Sequence, residues 1–157
     1  MSPLTNVVAV LLLLLAPLIV AAAPVVPHNS WWGEYFPNTT LSGSPVLSRY
    51  DSDVSFRWGS GSPGSRVPAD NFSARWTSRQ QFSAGFYTFN ITSDDGVRLY
   101  VDDKLVLDSW QPMHGSTSVK RYLTAGEHTV VLEYFEATDI AQVQLEWYLL
   151  SGGAVPK

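Results

Sequence analysis

The sequence has no cysteine among its 157 residues. Disulfide bonds, thiolate metal sites and lipid-modified cysteines are therefore excluded. The fold must be held together by packing and hydrogen bonds alone. A chain of this length can bury enough apolar surface to fold without covalent cross-links.

Charged residues are also scarce, at 15% of the sequence, and the formal net charge is -4. Nucleic-acid binding depends on clustered lysine and arginine side chains that neutralise phosphates. The 10 Lys and Arg residues form no such cluster and are outnumbered by 14 Asp and Glu residues. We therefore expect no nucleic-acid partner.

Motifs of common active sites are missing as well. The sequence has neither a G-x-S-x-G nucleophile elbow nor an H-E-x-x-H zinc motif, and His28, His114 and His128 are far apart. Glycoside hydrolysis needs two carboxyl groups that face each other across a cleft, which neighbouring acids on a turn do not provide. The sequence therefore predicts a protein that is not an enzyme.

No segment after Trp31 keeps a helical period, and apolar residues alternate with polar ones instead. The alternation is clearest in residues 54–58, 72–77, 87–92, 97–101, 130–135 and 141–147. It places successive side chains on opposite faces of a sheet, and turn residues separate the segments. Short alternating strands divided by turns predict an all-β fold with Trp58, Trp76 and Trp147 in its core.

The long apolar run at the N-terminus, Val7 to Val20, is followed by three alanines. This pattern predicts a signal peptide over residues 1–23, with the alanines at the cleavage site. Because no Lys or Arg precedes the run and it extends to Val26, an uncleaved membrane anchor is the alternative. Pro17 inside the run favours cleavage. Under either interpretation the rest of the chain is extracellular, secreted or anchored facing outward, and it meets a membrane only if the segment is retained.

These features divide the chain into four parts. Residues 1–23 are the signal peptide or anchor, 24–30 a linker, 31–150 a folded domain and 151–157 a flexible tail that contains Ser151, Gly152 and Gly153. The domain has the size of one ordinary folding unit.

Several motifs from Trp32 to Trp147 resemble the PA14 family and occur in the family's order. They are Gly33-Glu34-Tyr35-Phe36, Phe56-Arg57-Trp58-Gly59, Asp70-Asn71-Phe72-Ser73-Ala74-Arg75-Trp76-Thr77, Gly85-Phe86-Tyr87-Thr88-Phe89, Ser93-Asp94-Asp95-Gly96-Val97-Arg98-Leu99-Tyr100-Val101-Asp102 and Leu132-Glu133-Tyr134-Phe135-Glu136. Two positions depart from the family pattern. Asp103 stands where glycine is usual, and Thr138-Asp139 replaces a glycine-rich turn.

The resemblance implies an antiparallel β-sandwich of the kind found as an accessory module in bacterial toxins, glycosidases and adhesins. Some members bind carbohydrate through a calcium ion. It therefore implies an exported, non-catalytic module that binds carbohydrate at the cell surface or in the extracellular matrix, with calcium as a candidate cofactor. The alternative is a structural or protein–protein interaction domain with no ligand of its own.

Asp94-Asp95-Gly96 is the main candidate site, with two interpretations. Calcium takes six to eight oxygen ligands, so adjacent carboxylates on a sharp loop can form half of a site. Resemblance to the family's calcium-dependent lectins implies a cis peptide between Asp94 and Asp95, which lets both side chains approach one ion. The other interpretation is an exposed hairpin turn, because Asp-Gly between alternating strands is a strong hairpin signal.

Three further residues complete the predicted site. Glu136 and Asp139 lie where the family's second calcium loop would fall, so they are candidate third ligands for the metal; the alternative is a solvated loop. Trp110 follows Asp108-Ser109 in a short loop and could stack on a sugar ring, or it could anchor the loop against the sandwich.

Overall fold

The computed structural model describes residues 26–150. The segments predicted as signal peptide, 1–23, and as tail, 151–157, lie outside the described residues. Within residues 26–150 the chain forms ten β-strands, and no helix there is long and apolar enough to cross a membrane.

The strands follow one another in chain order as β1 (Trp31–Phe36), β2 (Leu47–Asp51), β3 (Ser55–Gly59), β4 (Phe72–Phe82), β5 (Gly85–Asp94), β6 (Val97–Val101), β7 (Lys104–Ser109), β8 (His114–Leu123), β9 (Gly126–Glu136) and β10 (Ala141–Leu149). They form a six-stranded sheet in the order β2-β1-β4-β9-β6-β7 and a four-stranded sheet in the order β3-β10-β5-β8. All pairings between these strands are antiparallel. The predicted antiparallel β-sandwich is confirmed.

The core lies between the two sheets and is built from the inward faces of the alternating strands. Trp76 of β4 is fully buried, stacks on Phe56 at 5.4 Å between ring centroids and lies 6.5 Å from Trp58. Trp147 of β10 is partly buried and packs 5.9 Å from Phe89. The core placement predicted for Trp76 is confirmed, and Trp58 and Trp147 pack against the core while remaining partly exposed.

Residues 26–30, which the sequence suggested as a linker, pack against β4 and β9. Val26 is buried, and the Asn29 N–H donates to the Arg79 carbonyl at 3.3 Å. His28 Nδ1 lies 3.0 Å from a carboxylate oxygen of Glu127. This short segment therefore adds to the edge of the sandwich.

Asp94-Asp95-Gly96 is not a hairpin turn. It leads from β5, which lies between β10 and β8, to β6, which lies between β9 and β7 in the other sheet. The hairpin interpretation was wrong because a turn motif reports only local conformation. Which strands pair is decided by packing across the whole sandwich, so this tripeptide carries the chain from one layer to the other.

Candidate functional site

Three loops meet at one end of the sandwich. They are the β5–β6 connection, the β9–β10 connection and the segment just before β4. The Ala137 N–H donates to Asp95 Oδ2 at 2.8 Å, and the Asn71 N–H donates to the Ala137 carbonyl at 3.0 Å. Residues distant in sequence are thereby held next to each other by backbone hydrogen bonds.

Asp94 and Asp95 are joined by a cis peptide, as the family resemblance implied. Asp94 Oδ2 lies 2.8 Å from His114 Nδ1, and the Asp94 side chain is 18% exposed. Asp95 is 8% exposed. The expectation of an exposed bend was therefore wrong: the backbone of this connection hydrogen-bonds to Phe135 of β9, which draws Asp95 into the structure.

Gly96 is required by the close approach of another loop. A Cβ atom at this position would lie 2.9 Å from both the backbone nitrogen and the carbonyl oxygen of Gln111, and it would also clash with the Phe135 ring. Contacts this close to backbone atoms cannot be relieved by a rotamer change. The loop that follows β7 thus packs directly on the Asp94-Asp95 connection.

Glu136 lies behind the aspartate pair and is fully buried. Its Oε2 is 2.8 Å from the Tyr134 hydroxyl, which also contacts the Asp94 carbonyl oxygen, while its Oε1 has no hydrogen-bond partner. A phenol has one proton and cannot donate to both oxygens. A protonated Glu136 carboxyl would donate to the phenol oxygen and leave the phenol proton for Asp94.

The electrostatics of the three loops are negative. Burial, with a further contribution from the carboxylates of Asp95, Asp94 and Asp70, raises the pKa of Glu136 to about 7 although the hydrogen bond from Tyr134 acts to lower it. Burial, followed by the charge of Glu136, also raises the pKa of Tyr134 well above its usual range. The negative charge of these carboxylates would attract a cation. Once bound, the cation would favour the ionised form of Glu136.

The oxygen ligands of this site suit calcium, but too few of them stand close together to complete a calcium site. Carboxylate and carbonyl oxygens are what calcium takes in proteins. However, no three His, Cys, Asp or Glu side chains in residues 26–150 stand together as a set that could hold a metal ion. The Asp94 and Asp95 carboxylates are engaged by His114 and by the Ala137 N–H. A calcium ion would have to take them from these partners.

Of the two predicted third ligands, one lies with the aspartate pair and one at the rim. Glu136 is linked to Asp94 through the Tyr134 hydroxyl. Asp139 is exposed in the turn before β10, with a φ of 81°. Its position fits the solvated-loop interpretation as well as a ligand that closes a site from outside.

Trp110 packs as an anchor for its loop. Its ring lies 4.9 Å from that of Phe135, and the guanidinium carbon of Arg98 lies 4.0 Å above it. Because Arg98 covers one face and Phe135 contacts the ring as well, little of the indole is open for a sugar to stack on. The structure favours the anchor interpretation over the sugar platform.

Comparison with known proteins identifies the fold family. A family model described as the PA14 domain matches residues 28–157. The chain belongs to the PA14 family. The resemblance seen in the sequence motifs is confirmed, and the matched region includes the three loops described above.

Two relatives have sequences similar to this one. Anti-sigma-I factor RsgI3 of Acetivibrio thermocellus is 35% identical over 118 residues, which cover 73% of this chain and 18% of RsgI3. A solved anti-sigma factor domain-containing protein from Clostridium clariflavum is 35% identical, with a TM-score of 0.71, and the match covers 81% of this chain and 48% of that one. The chain thus spans less than half of either relative.

Other solved structures share the PA14 fold with little sequence identity. The PA14 sugar-binding domain from an RTX adhesin has a TM-score of 0.62 at 19% identity, over 82% of this chain and 93% of that one. A β-glucosidase from Kluyveromyces marxianus matches at a TM-score of 0.61 and 16% identity, over 76% of this chain and 16% of the enzyme. At this level of identity, these matches carry the fold and not the activity.

The sequence did not single out two residues of this PA14 site. Tyr134 stands out only as part of an alternating strand and of a family motif, and His114 only as one of three distant histidines, although it begins β8 and contacts Asp94. The only local hint was the spacing Tyr134-x-Glu136, which puts both side chains on one face of β9. Tyr134 and His114 are separated from Asp94 by 40 and 20 residues in the sequence, and no pattern in a single sequence reports contacts between residues so far apart.

Proposed function

We propose that this chain is an exported, non-catalytic PA14 module that binds carbohydrate at the end of the sandwich where Asp94 and Asp95 lie. The observation that carries the proposal is the buried Glu136 carboxyl, whose Oε1 has no partner and which faces further carboxylates. Buried acids without a compensating cation are costly, and bound cations are a common form of compensation.

Calcium is the ion we propose for this site. Asp94 and Asp95 would supply carboxylate oxygens, and Glu136 would stand behind them as the charge that the ion compensates. In such a site the bound ion offers further coordination positions to the hydroxyl groups of a sugar. The protein's own part is to hold the two aspartates at the junction of three loops and to keep Glu136 out of water.

The comparisons support binding in one protein with this fold. An adhesin domain with this fold is described as sugar-binding, and the relatives at 35% identity belong to anti-sigma factors. The fold therefore serves in an adhesin and in regulatory proteins alike. We propose carbohydrate recognition as the role of this chain, without assigning it to adhesion or to signalling.

A calcium titration tests the ion. We expect the full chain to melt at a higher temperature as calcium is added, with a gain of about 2.7 kcal/mol when calcium exceeds its dissociation constant about 100-fold. Asp94→Asn should abolish the gain because it removes a charged ligand. Asp53→Asn, a change at an exposed acid in the β2–β3 connection, should keep it in full.

A glycan array with and without calcium tests the sugar. Spots that bind the chain in calcium and lose it in EDTA would support the proposal. An unchanged melting temperature in millimolar calcium would contradict calcium binding and favour a structural or protein-binding domain. The observation that favours the structural or protein-binding alternative is that His114 and the Ala137 N–H already bind the two aspartate side chains.

A further inference from the structure

The outward face of the six-stranded sheet carries an unbroken line of mostly apolar side chains. Each of these residues is directly opposite the next on the neighbouring strand, so the line crosses every strand of the sheet. We call it the apolar row, and it consists of Tyr50, Trp32, Thr77, Val131, Tyr100 and Leu105. At about 4.8 Å between strands, five spacings give a length of about 24 Å.

The apolar row is open to solvent and is not part of the core. Tyr50 is 51% exposed and Leu105 is 49% exposed, at the two ends, and the four residues between them are partly exposed. The core-facing side of the same strands is filled by residues such as Trp76 and Leu132. Contiguous exposed apolar surface on a soluble domain usually marks a binding surface.

A second row of charged side chains runs beside the first. This ionic row consists of Glu34, Arg75, Glu133, Arg98 and Asp108, again directly opposite one another from β1 to β7. Acids and bases alternate along the whole line.

Glu133 fixes the centre of the ionic row. Its side chain is 6% exposed, with Arg75 Nη2 at 2.7 Å from one carboxylate oxygen and Arg98 Nη2 at 2.8 Å from the other. Trp110 supports Arg98 from below at 4.0 Å. The two guanidinium groups are therefore held in place, and donors that are already ordered lose little entropy when they bind a ligand.

A shallow cavity of about 360 Å³ joins the two rows. It is lined by Arg75, Thr77, Tyr100, Asp103, Val131 and Glu133. The Tyr100 hydroxyl lies 3.4 Å from Glu133 Oε2, so this ring belongs to the apolar row while its polar end meets the ionic row. An aromatic surface next to fixed polar groups suits a ligand that is itself amphipathic.

We propose that this face binds a neutral, extended polysaccharide laid across the strands. Pyranose rings present C–H groups, which would pack on the apolar row, and hydroxyl groups, which would bond to the arginines and acids of the ionic row. Two observations favour this occupant. The ionic row has three acids and two bases, so its net charge is negative and an anionic lipid or polymer gains no advantage there, and the rows are long enough for several linked sugar rings. The site is separate from Asp94-Asp95 and requires no ion.

Affinity electrophoresis in EDTA tests the proposal without the calcium site. The full chain is run through native gels that contain hydroxyethyl cellulose or arabinoxylan as neutral β-1,4-linked polymers, or polygalacturonate as an anionic one. We expect the neutral polymers to retard the protein. Trp32→Ala and Tyr100→Ala should each weaken binding about tenfold, or about 1.4 kcal/mol.

Matched controls separate this face from the rest of the molecule. Tyr148→Ala removes a tyrosine of β10 that is 51% exposed in the other sheet, and it should bind as the unchanged chain does. Melting temperatures identify any variant that fails to fold, and Tyr100→Phe, which keeps the ring, should retain most of the binding.

Three results would overturn the proposal. One is the absence of retardation by either neutral polymer in EDTA. Another is an equal loss of binding in Tyr148→Ala. The third is light scattering that shows a dimer dispersed by Leu105→Ser, since a second copy would then be the occupant. A failed calcium titration would leave this proposal intact, and failure here would leave the calcium proposal intact.

Discussion

Tyr134 connects the parts of the candidate calcium site through a single hydroxyl group. The ring is fully buried in the core, 5.8 Å from that of Phe72, while the hydroxyl reaches both the Asp94 carbonyl and Glu136. Removing the hydroxyl would take away the buried partner that the Asp94 carbonyl and Glu136 share. A buried polar group without a partner costs about 1–3 kcal/mol.

Tyr134→Phe should therefore lower the free energy of unfolding by about 1–3 kcal/mol, measured by guanidinium chloride denaturation in EDTA. Tyr148→Phe is the matched control, since it removes a hydroxyl from a ring that is 51% exposed. Its change should stay within about 0.5 kcal/mol. Equal stabilities of the two variants would show that Tyr134 does not hold the loops together.

The sequence predicted the acids of this site better than their surroundings. Asp94, Asp95 and Glu136 could be identified because adjacent carboxylates and a family motif are local features. Tyr134 and His114 could not, because their role depends on which strands lie beside β5. Trp110 was left open between two interpretations because its neighbours, Arg98 and Phe135, come from other strands.

At the level of elements, the β6–β7 hairpin is clamped to β9 by one aspartate. Asp102 and Asp103 form its turn with positive φ angles of 49° and 61°, a conformation that Asp adopts more readily than most residues. This explains how Asp103 can replace the family's glycine. Asp102 accepts a hydrogen bond from the Thr129 N–H at 3.1 Å and contacts His128 Nδ1 at 2.6 Å.

The protonation of His128 controls this clamp. Burial lowers the pKa of His128, but the hydrogen bonds to Asp102 and to the Thr124 carbonyl outweigh it and raise the pKa above its ordinary value of 6.5. For Asp102, burial raises the pKa, but hydrogen bonds from His128 and Thr129 bring it below its ordinary 3.8. Both shifts stabilise the folded state when the pH lies between the two ordinary pKa values, 3.8 for Asp102 and 6.5 for His128.

The stabilising effect of His128 should therefore be complete below about pH 6.5 and be lost as the pH rises through its raised pKa. The contribution of Asp102 should be lost as the pH falls through its lowered pKa. We expect the difference in unfolding free energy between the unchanged chain and His128→Gln to be largest at about pH 5–6 and to shrink by pH 8. Denaturant melts across this range measure it. A difference that does not change with pH would contradict the clamp.

Strand prediction succeeded where the alternation is strong, which includes the edge strand β3 at residues 54–58, and it missed the edge strands β2 and β8. The alternation in β4, β5 and β10 is strong because each lies between two other strands. β2 and β8 escaped notice because they are edge strands with partly exposed faces; in β8 only Leu123 is buried. Edge strands need fewer apolar residues, so their sequences resemble loops.

Across the whole molecule, stability should decrease from the central strands to the edges. β4 and β9 pair over their full lengths at the centre of the larger sheet, whereas β2 and β7 lie at its edges and β3 and β8 at those of the smaller sheet. Central strands usually open only with global unfolding, and edges open locally.

Amide hydrogen exchange measured by NMR should show this gradient. We expect the amides of residues such as Trp76 and Leu132 to exchange only through global unfolding, with protection close to the full free energy of unfolding. Amides of β2 and β8 should exchange several kcal/mol more easily, at about half that protection or less. Uniform protection across all strands would contradict the gradient.

Within the described strands, only β1–β2 and β6–β7 pair with their neighbours in sequence, and every other pairing joins distant parts of the chain. The smaller sheet shows the consequence most clearly, because β10, the last strand, sits between β3 and β5. During translation β3 and β5 emerge long before their common partner. The nascent chain must therefore stay unfinished until residue 149 has left the ribosome, and in that interval its open strand edges depend on chaperones or on rapid synthesis to avoid aggregation.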